Sequence, residues 1–319
     1  MNNTFTNISY TQGNVLESTL ERVHILDKGY LFRKMNIEAF VGPLLGPNVT
    51  EDKSVLTGFS AEDGYYLIIY RNNFSSITGE LGGLFFLPKY LDVSFQLLFL
   101  HNNFLNLSGL GSSSFSGFYK QTIAHNRIAN FSDEFLSIED STIVDITQNQ
   151  FDGCTSQLPF IKVSGQTNSY ELLFSSNNFT QAFAKGSEFI SLEIPLTTFE
   201  MRNNYFNACT LASRLTSTLV FVDDKQYAQY PLAEVITLEG NHFNNIKIEK
   251  ILGVNPGRSS LLRIRRDYLK VTISNGVFSN TNSGHIQNLA VLDIIYRYSS
   301  VRRQWKNCKF WQLYSNPSG

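Results

Sequence analysis

The sequence has 319 residues, with 26 basic and 27 acidic residues that leave a net charge of −1. This balance gives no overall electrostatic case for binding nucleic acid. Three cysteines are too few for a disulfide framework, and no stretch is apolar enough to predict a transmembrane helix. The class of protein must therefore be sought in the pattern along the chain.

One sequence unit recurs along the whole chain, and its clearest copy is LLFSSNNFTQA at residues 172–182. The unit reads apolar-x-apolar-x-x-Asn-x-Phe-x-x-apolar, and we number its positions from the Phe, the anchor, as zero. Position −5 is large and apolar in all nine good copies, and position −2 is Asn in seven. The nine anchors are Phe74, Phe104, Ile128, Phe151, Phe179, Phe206, Phe243, Phe278 and Phe310. Two weaker copies, at Phe5 and Phe40, extend the series without a gap, which indicates a solenoid.

Within each unit the pattern predicts a strand, a corner and a second strand. Apolar residues at −7 and −5 flank a mixed position, which is the period of a half-buried strand. Asn at −2 suits a sharp corner because Asn tolerates the left-handed backbone region. The irregular spacing and the missing short Leu spacings count against the main alternative, a leucine-rich repeat. The sequence therefore predicts an all-β, single-stranded, right-handed parallel β-helix of about eleven coils, with Asn and Phe ladders.

The repeat predicts one continuous domain over residues 1–319. Residues 1–65 are the least regular coils, and 207–235 and 247–267 are predicted insertion loops because their steps are long. The chain begins inside a repeat and ends soon after the last anchor. We therefore expect a segment of a longer chain, since raw solenoid ends expose apolar faces.

The repeat resembles that of the right-handed parallel β-helix superfamily, the pectin-lyase-like fold, and is most similar to its surface and secreted members. The resemblance covers nearly the whole chain and implies polysaccharide chemistry as one option. Pectin-degrading members carry an Asn-Thr-Asp segment that this chain lacks. Partial matches to their other motifs are Asp223-Asp224, Gly284-His285-Ile286 and Arg263-Ile264-Arg265.

Three carboxylates are the alternative catalytic candidates. Asp145 and Glu200 both occupy position −6, two coils apart, at a separation of about 10 Å that lies near the range used by inverting glycosidases. Asp152 is close to them in sequence. Leu173 lies between the first two in the column, and a catalytic groove needs more convergent polar groups. We therefore predict no catalytic activity.

Two histidines form the only metal candidate in the sequence. His101 and His125 occupy position −3 in consecutive coils and should stack about 5 Å apart. Such a pair could share a metal or respond to pH. The column continues with Gln148 and Ser176 and supplies no third ligand, so we interpret both as solvated corner residues and predict no metal or cofactor.

Two of the cysteines are predicted core residues, and the Asn-X-Ser/Thr sequons are candidate glycosylation sites. Cys154 and Cys209 both fall at +3, two coils apart, which predicts two separate core thiols rather than a disulfide. Sequons lie beside corners at four of the seven Asn candidates, and their use depends on secretion. The candidates beside corners are Asn73, Asn106, Asn130 and Asn178, and the others are Asn2, Asn7 and Asn48.

Charge is divided along the chain. Residues 247–319 hold 12 basic and 3 acidic residues, a net +9, and the remainder therefore carries −10. Because sequence position maps onto axial position in a solenoid, we expect an acidic end and a basic end. The residues predicted to make contacts at the basic end are Arg258, Arg263, Arg265, Arg266, Arg302 and Arg303.

These patterns predict a structural or adhesive β-helix at a cell surface or in an extracellular fibre, although residues 1–14 do not resemble a signal peptide. The expected partners are other copies of the chain, other fibre or surface proteins, and glycans, with no nucleic acid. End-to-end contact of unlike ends would build an open filament. The alternative is a polysaccharide lyase or hydrolase, or a glycan-binding module.

Overall fold

The computed structural model of the chain describes strands and corners from residue 3 to residue 314. No helix occurs among these described residues. The described residues are 3–5, 24–26, 29–33, 35–38, 65–70, 73–75, 86–87, 95–108, 113–132, 134–165, 170–185, 188–193, 196–213, 218–223, 234–250, 259–265, 269–282, 289–295 and 302–314.

The strands form three sheets in which each strand pairs with its equivalents in the coils before and after. The first sheet holds the strands that precede the Asn corner. Its strands are His24–Leu26, Gly29–Arg33, Tyr65–Tyr70, Phe95–Leu100, Lys120–Ala124, Ile143–Thr147, Tyr170–Ser175, Leu196–Arg202, Glu234–Glu239, Leu269–Ser274 and Arg302–Lys306. All named pairs in the three sheets are parallel except His24–Leu26 with Gly29–Arg33.

The second sheet holds the anchors, followed in several coils by a short strand beyond a further corner. Its anchor strands are Asn3–Phe5, Met35–Glu38, Asn73–Ser75, Asn103–Leu107, Arg127–Phe131, Gln150–Asp152, Asn178–Thr180, Tyr205–Asn207, His242–Asn244, Val277–Asn282 and Lys309–Tyr314. Its further strands are Thr155–Ser156, Phe183–Lys185, Thr210–Ser213 and Lys247–Lys250.

The third sheet closes eight of the eleven coils within the described residues. Its strands are Phe86–Leu87, Ser113–Ser116, Leu136–Glu139, Ile161–Ser164, Ile190–Glu193, Thr218–Asp223, Ser259–Arg265 and Leu289–Ile295. Parts of the predicted insertions 207–235 and 247–267 are thus ordinary strands. The residues 214–217, 224–233, 251–258 and 266–268 lie outside the described residues.

Eleven anchor strands pair in order, so the predicted class, an all-β parallel β-helix of eleven coils, is confirmed. One anchor differs from the prediction. The register pairs Phe5 with Ile37 and Ile37 with Phe74, so Ile37 and not Phe40 belongs to the column. The preceding first-sheet strands have the same register. Phe32, five residues before Ile37, pairs with Ile69, five residues before Phe74.

The anchor rings form a buried stack along the axis. Phe151 and Phe179 are parallel with centroids 4.4 Å apart, and Phe179 continues to Phe206 at 4.9 Å. The ring stack is interrupted at Ile128, which lies between Phe104 and Phe151 in the column and has no aromatic ring. Phe135 contacts the rings on either side, Phe104 at 5.1 Å and Phe151 at 5.7 Å, and so fills the space.

The Asn residues at −2 form a second ladder inside the coil. In its middle, the Asn177 Oδ1 accepts from the backbone N–H and the Nδ2 of Asn149, at 2.9 and 3.0 Å. The Asn177 Nδ2 donates to Ile146 O at 2.8 Å and to Asn204 Oδ1 at 3.1 Å. Each central amide thus uses its full hydrogen-bonding capacity. The ladder members are Asn102, Asn126, Asn149, Asn177, Asn204 and Asn241, all at most 4% exposed.

The left-handed corner residue is not the Asn at −2, as the sequence suggested, but its neighbour at −3. Gln148, for example, has φ 56°. A second left-handed column occupies +2, where Asn, Gln, Ala and Gly occur. The Asn at −2 points inward, where its amide forms hydrogen bonds with the backbone of the adjacent coils. The residue with left-handed backbone geometry at this corner is therefore the one at −3.

Ala208 occupies the left-handed column at +2 with φ 51°. We expect Ala208→Gly to raise the free energy of unfolding by about 0.5–1 kcal/mol. Relief of left-handed strain, worth about 1–2 kcal/mol, exceeds the entropic cost of glycine. Urea denaturation followed by circular dichroism measures the change. Ala129→Gly, in a second-sheet strand, should instead destabilise, and stabilisation by both changes would contradict the strain argument.

Candidate functional site

Asp145 and Glu200 lie on the outer face of the first sheet, in one column with Leu173 between them. Each carboxylate has a cationic partner. Lys120 Nζ lies 2.9 Å from Asp145 Oδ2, and Arg202 Nη2 lies 3.0 Å from Glu200 Oε2. The column therefore holds two separate ion pairs divided by an apolar side chain, rather than two carboxylates that face a shared substrate site.

Asp152 lies beyond the Asn corner, in the second sheet. Its register partners are Ala129 and Thr180 in the adjacent coils. The three carboxylates singled out in the sequence are thus divided between two faces of the solenoid. Closeness in sequence did not bring them together because the corner turns the chain onto another side.

The third sheet carries a carboxylate pair that the sequence reasoning missed. Glu139 and Glu193 are exposed and occupy one column two coils apart, with Ser164 between them. Lys162 Nζ lies 3.9 Å from Glu193 Oε2, and the Ser191 hydroxyl donates to Glu193 Oε1 at 3.2 Å. The repeat unit found in the sequence ends before this strand. The pair could therefore be found only by aligning the third-sheet strands of consecutive coils.

His101 and His125 stack as predicted on an exposed corner. Their ring centroids are 4.6 Å apart, their planes differ by 1°, and both residues have φ 57°. No group of three or more His, Cys, Asp or Glu with metal-binding geometry was found within the described part of the chain.

The basic-end residues are only partly described. Arg263 is 4% exposed and lies on the outer column of the third sheet, so its prediction as a surface contact is wrong. Ser191 lies in the same outer column and is also buried, with 2% of its surface exposed. Arg265 ends a third-sheet strand, and Arg302 and Arg303 lie in the last strand of the first sheet.

The side chains of Arg265, Arg302 and Arg303 are not described, and Arg258 and Arg266 lie outside the described residues altogether. Trp305 is 42% exposed and Phe310 is 44% exposed, since each lies in the last described strand of its sheet and no described strand covers it.

The sequons occupy two kinds of position. Asn106 and Asn130 are exposed at +2, and Asn130 Nδ2 donates to Asn106 Oδ1 at 3.0 Å. Asn178 lies in a strand, where its Oδ1 accepts a hydrogen bond of 3.1 Å from the Thr180 hydroxyl of its own sequon. Asn73 is in a strand with its side chain not described. Asn2, Asn7 and Asn48 lie outside the described residues.

Cys154 and Cys209 are buried free thiols, and burial raises the pKa of each to about 12. Both remain protonated at pH 8, so we expect a thiol reagent to label only Cys308 in the native protein and all three cysteines in urea. Their stabilising contribution is complete below the unfolded thiol pKa of about 8.5 and is lost as the pH rises toward 12. Labelling of all three thiols in the native state at pH 8 would contradict this burial.

The sheets, the ladders and the buried anchors together define an all-β parallel β-helix. No protein-family model matches the sequence, and no curated protein matches it. Among solved structures, the family 28 exopolygalacturonase of Yersinia enterocolitica is similar over 91% of this chain and 64% of that chain. The identity is 9% and the TM-score is 0.23. The chain thus spans less than two thirds of that enzyme, and the fold assignment depends on the strand pairing described above.

Within the described residues, no helix has the length and apolar character needed to cross a membrane.

Proposed function

We propose that the chain is a structural or adhesive β-helix of a cell-surface or extracellular fibre protein, and that it acts as a rigid spacer without catalysis. The Asn ladder is the observation that carries the proposal. Six buried amides link consecutive coils through side-chain and backbone hydrogen bonds without a break. The stacked rings beside it add continuous packing along the same axis. Such axial continuity favours a rigid rod whose sides present partners or glycans.

The outer carboxylates also support a role without catalysis. Asp145 and Glu200 each pair with a cation and are separated by Leu173. A polysaccharide lyase or hydrolase is the alternative, and Glu139 with Glu193 is the arrangement that would favour it, because both are exposed in one column.

Turnover assays decide between these functions. We expect no cleavage of polygalacturonate or of neutral plant and microbial polysaccharides by the unaltered protein. The matched variants are Asp145→Ala with Glu200→Ala, and Glu139→Ala with Glu193→Ala. Turnover that falls in either double variant would overturn the proposed role and identify the carboxylates responsible.

The proposal includes end-to-end assembly of the acidic end of one copy on the basic end of another. The charge division along the sequence supports it. Sedimentation velocity over a salt series tests it, because contacts between exposed charges weaken with ionic strength. We expect large species at low salt that dissociate as salt is added, and a monomer at low salt would contradict assembly.

A further inference from the structure

A groove of about 380 Å³ runs along the corner between the anchor strands and the short strands that follow them, across the coils of Phe104, Ile128 and Phe151. Positions +2 and +4 of these coils supply its polar lining. The polar and glycine lining residues are Asn106, Ser108, Asn130, Ser132, Gly153 and Thr155.

Gly153 opens the groove. Its φ is +60°, and a Cβ at this position would lie 2.8 Å from Asn130 Oδ1. The next coil has Gln181 at the equivalent left-handed position, and its side chain is exposed. The groove therefore extends past Asn106 and Asn130 to Gly153, where the column of corner side chains has a gap before it resumes at Gln181.

The lining offers hydrogen bonds but no charge. Asn130 Nδ2 donates to Asn106 Oδ1. Among the described residues, the Asn106 Nδ2, the Asn130 Oδ1 and the hydroxyls of Ser132 and Thr155 have no protein partner. The other lining residues, Leu107 and Phe131, are apolar and buried. Amides and hydroxyls supply both donors and acceptors, which complement the hydroxyl groups of a ligand without net charge.

An aromatic side chain lies on the coil next to the groove, beside one of its lining residues, Thr155. Phe183 pairs in register with Thr155 on the adjacent short strand, and its side chain is half-buried while the following Ala184 points into the core. Phe183 thus lies on the outer face beside the hydroxyl column. A partly exposed ring beside hydroxyls suits a sugar ring, which has an apolar face and a polar rim.

We propose that this corner groove binds a neutral saccharide, with its amides and hydroxyls hydrogen-bonded to the hydroxyl groups of the sugar and Phe183 against the apolar face of the sugar ring. The described lining residues include no Lys or Arg to pair with a uronate, so acidic saccharides should bind more weakly. The inference goes beyond the spacer role, because it assigns a ligand class to one position on the side of the rod.

The test is titration calorimetry on protein made without attached glycans, since a glycan on Asn106 or Asn130 would occupy the groove. The probes are neutral trisaccharides built from glucose, galactose or mannose, with trigalacturonate for comparison. We expect at least one neutral trisaccharide to bind, and Ser132→Ala with Thr155→Val to weaken its binding about tenfold through two lost hydrogen bonds. Phe183→Ala should weaken it by a similar factor.

Thr210→Val is the matched control, because Thr210 pairs with Phe183 in the same column and lies one coil farther from the lining residue Thr155. Its binding should equal that of the unaltered protein. Absence of binding by all neutral probes, equal binding of trigalacturonate, or an equal loss in the control would overturn the saccharide site. Those results would leave the spacer proposal standing, because turnover and assembly are measured separately.

Discussion

Replacing Asn177 with alanine is expected to lower the free energy of unfolding by about 3–6 kcal/mol. The side chain is 1% exposed and makes four hydrogen bonds to two neighbouring coils. Truncation leaves the Asn149 backbone N–H, one Asn149 amide hydrogen and the Ile146 carbonyl without these partners inside the coil. A buried polar group that loses its partner costs about 1–3 kcal/mol. Urea denaturation followed by circular dichroism measures the loss.

The adjacent Asn178→Ala is the matched control for this prediction. Asn178 is half-buried on the outer face, and its side chain bonds only to Thr180 among the described residues. Its replacement should cost about 0.5 kcal/mol or less. If the two variants lost equal stability, the inner ladder would not be the element that holds the coils together.

Replacing Phe179 with alanine is expected to cost about 3–5 kcal/mol, the range for truncation of a buried aromatic side chain. Its ring is fully buried and stacks between Phe151 and Phe206. The neighbouring Phe174 and Phe189 cannot fill the space without moving strands that are fixed by pairing in three sheets. The same urea titration measures this change.

Two comparisons make the Phe179 prediction specific. Phe179→Leu keeps most of the volume and should cost clearly less than the alanine variant. Tyr205→Ala removes a ring that is 39% exposed on the next coil and should cost about 0.5 kcal/mol or less. An equal loss for Tyr205→Ala and Phe179→Ala would show that the stacked column contributes no more than outer rings.

The inner columns were predictable from the sequence. A buried position in a stacked coil admits few residue types, so the anchor Phe and the inward Asn recur at fixed offsets. The apolar residues at +3, such as Cys154 and Cys209, were placed correctly for the same reason, and both are fully buried. The sequence alone therefore determined the all-β class, the eleven coils and the two ladders.

Tertiary structure decided what the outer columns and corners do. Outer positions tolerate many residue types, so the sequence did not reveal that Arg263 is covered or that Glu139 and Glu193 share a column. The left-handed column at −3 and the Ile37 register depend on pairing between coils. The groove beside Gly153 likewise forms only when three coils stack, because it is the space left between their corners.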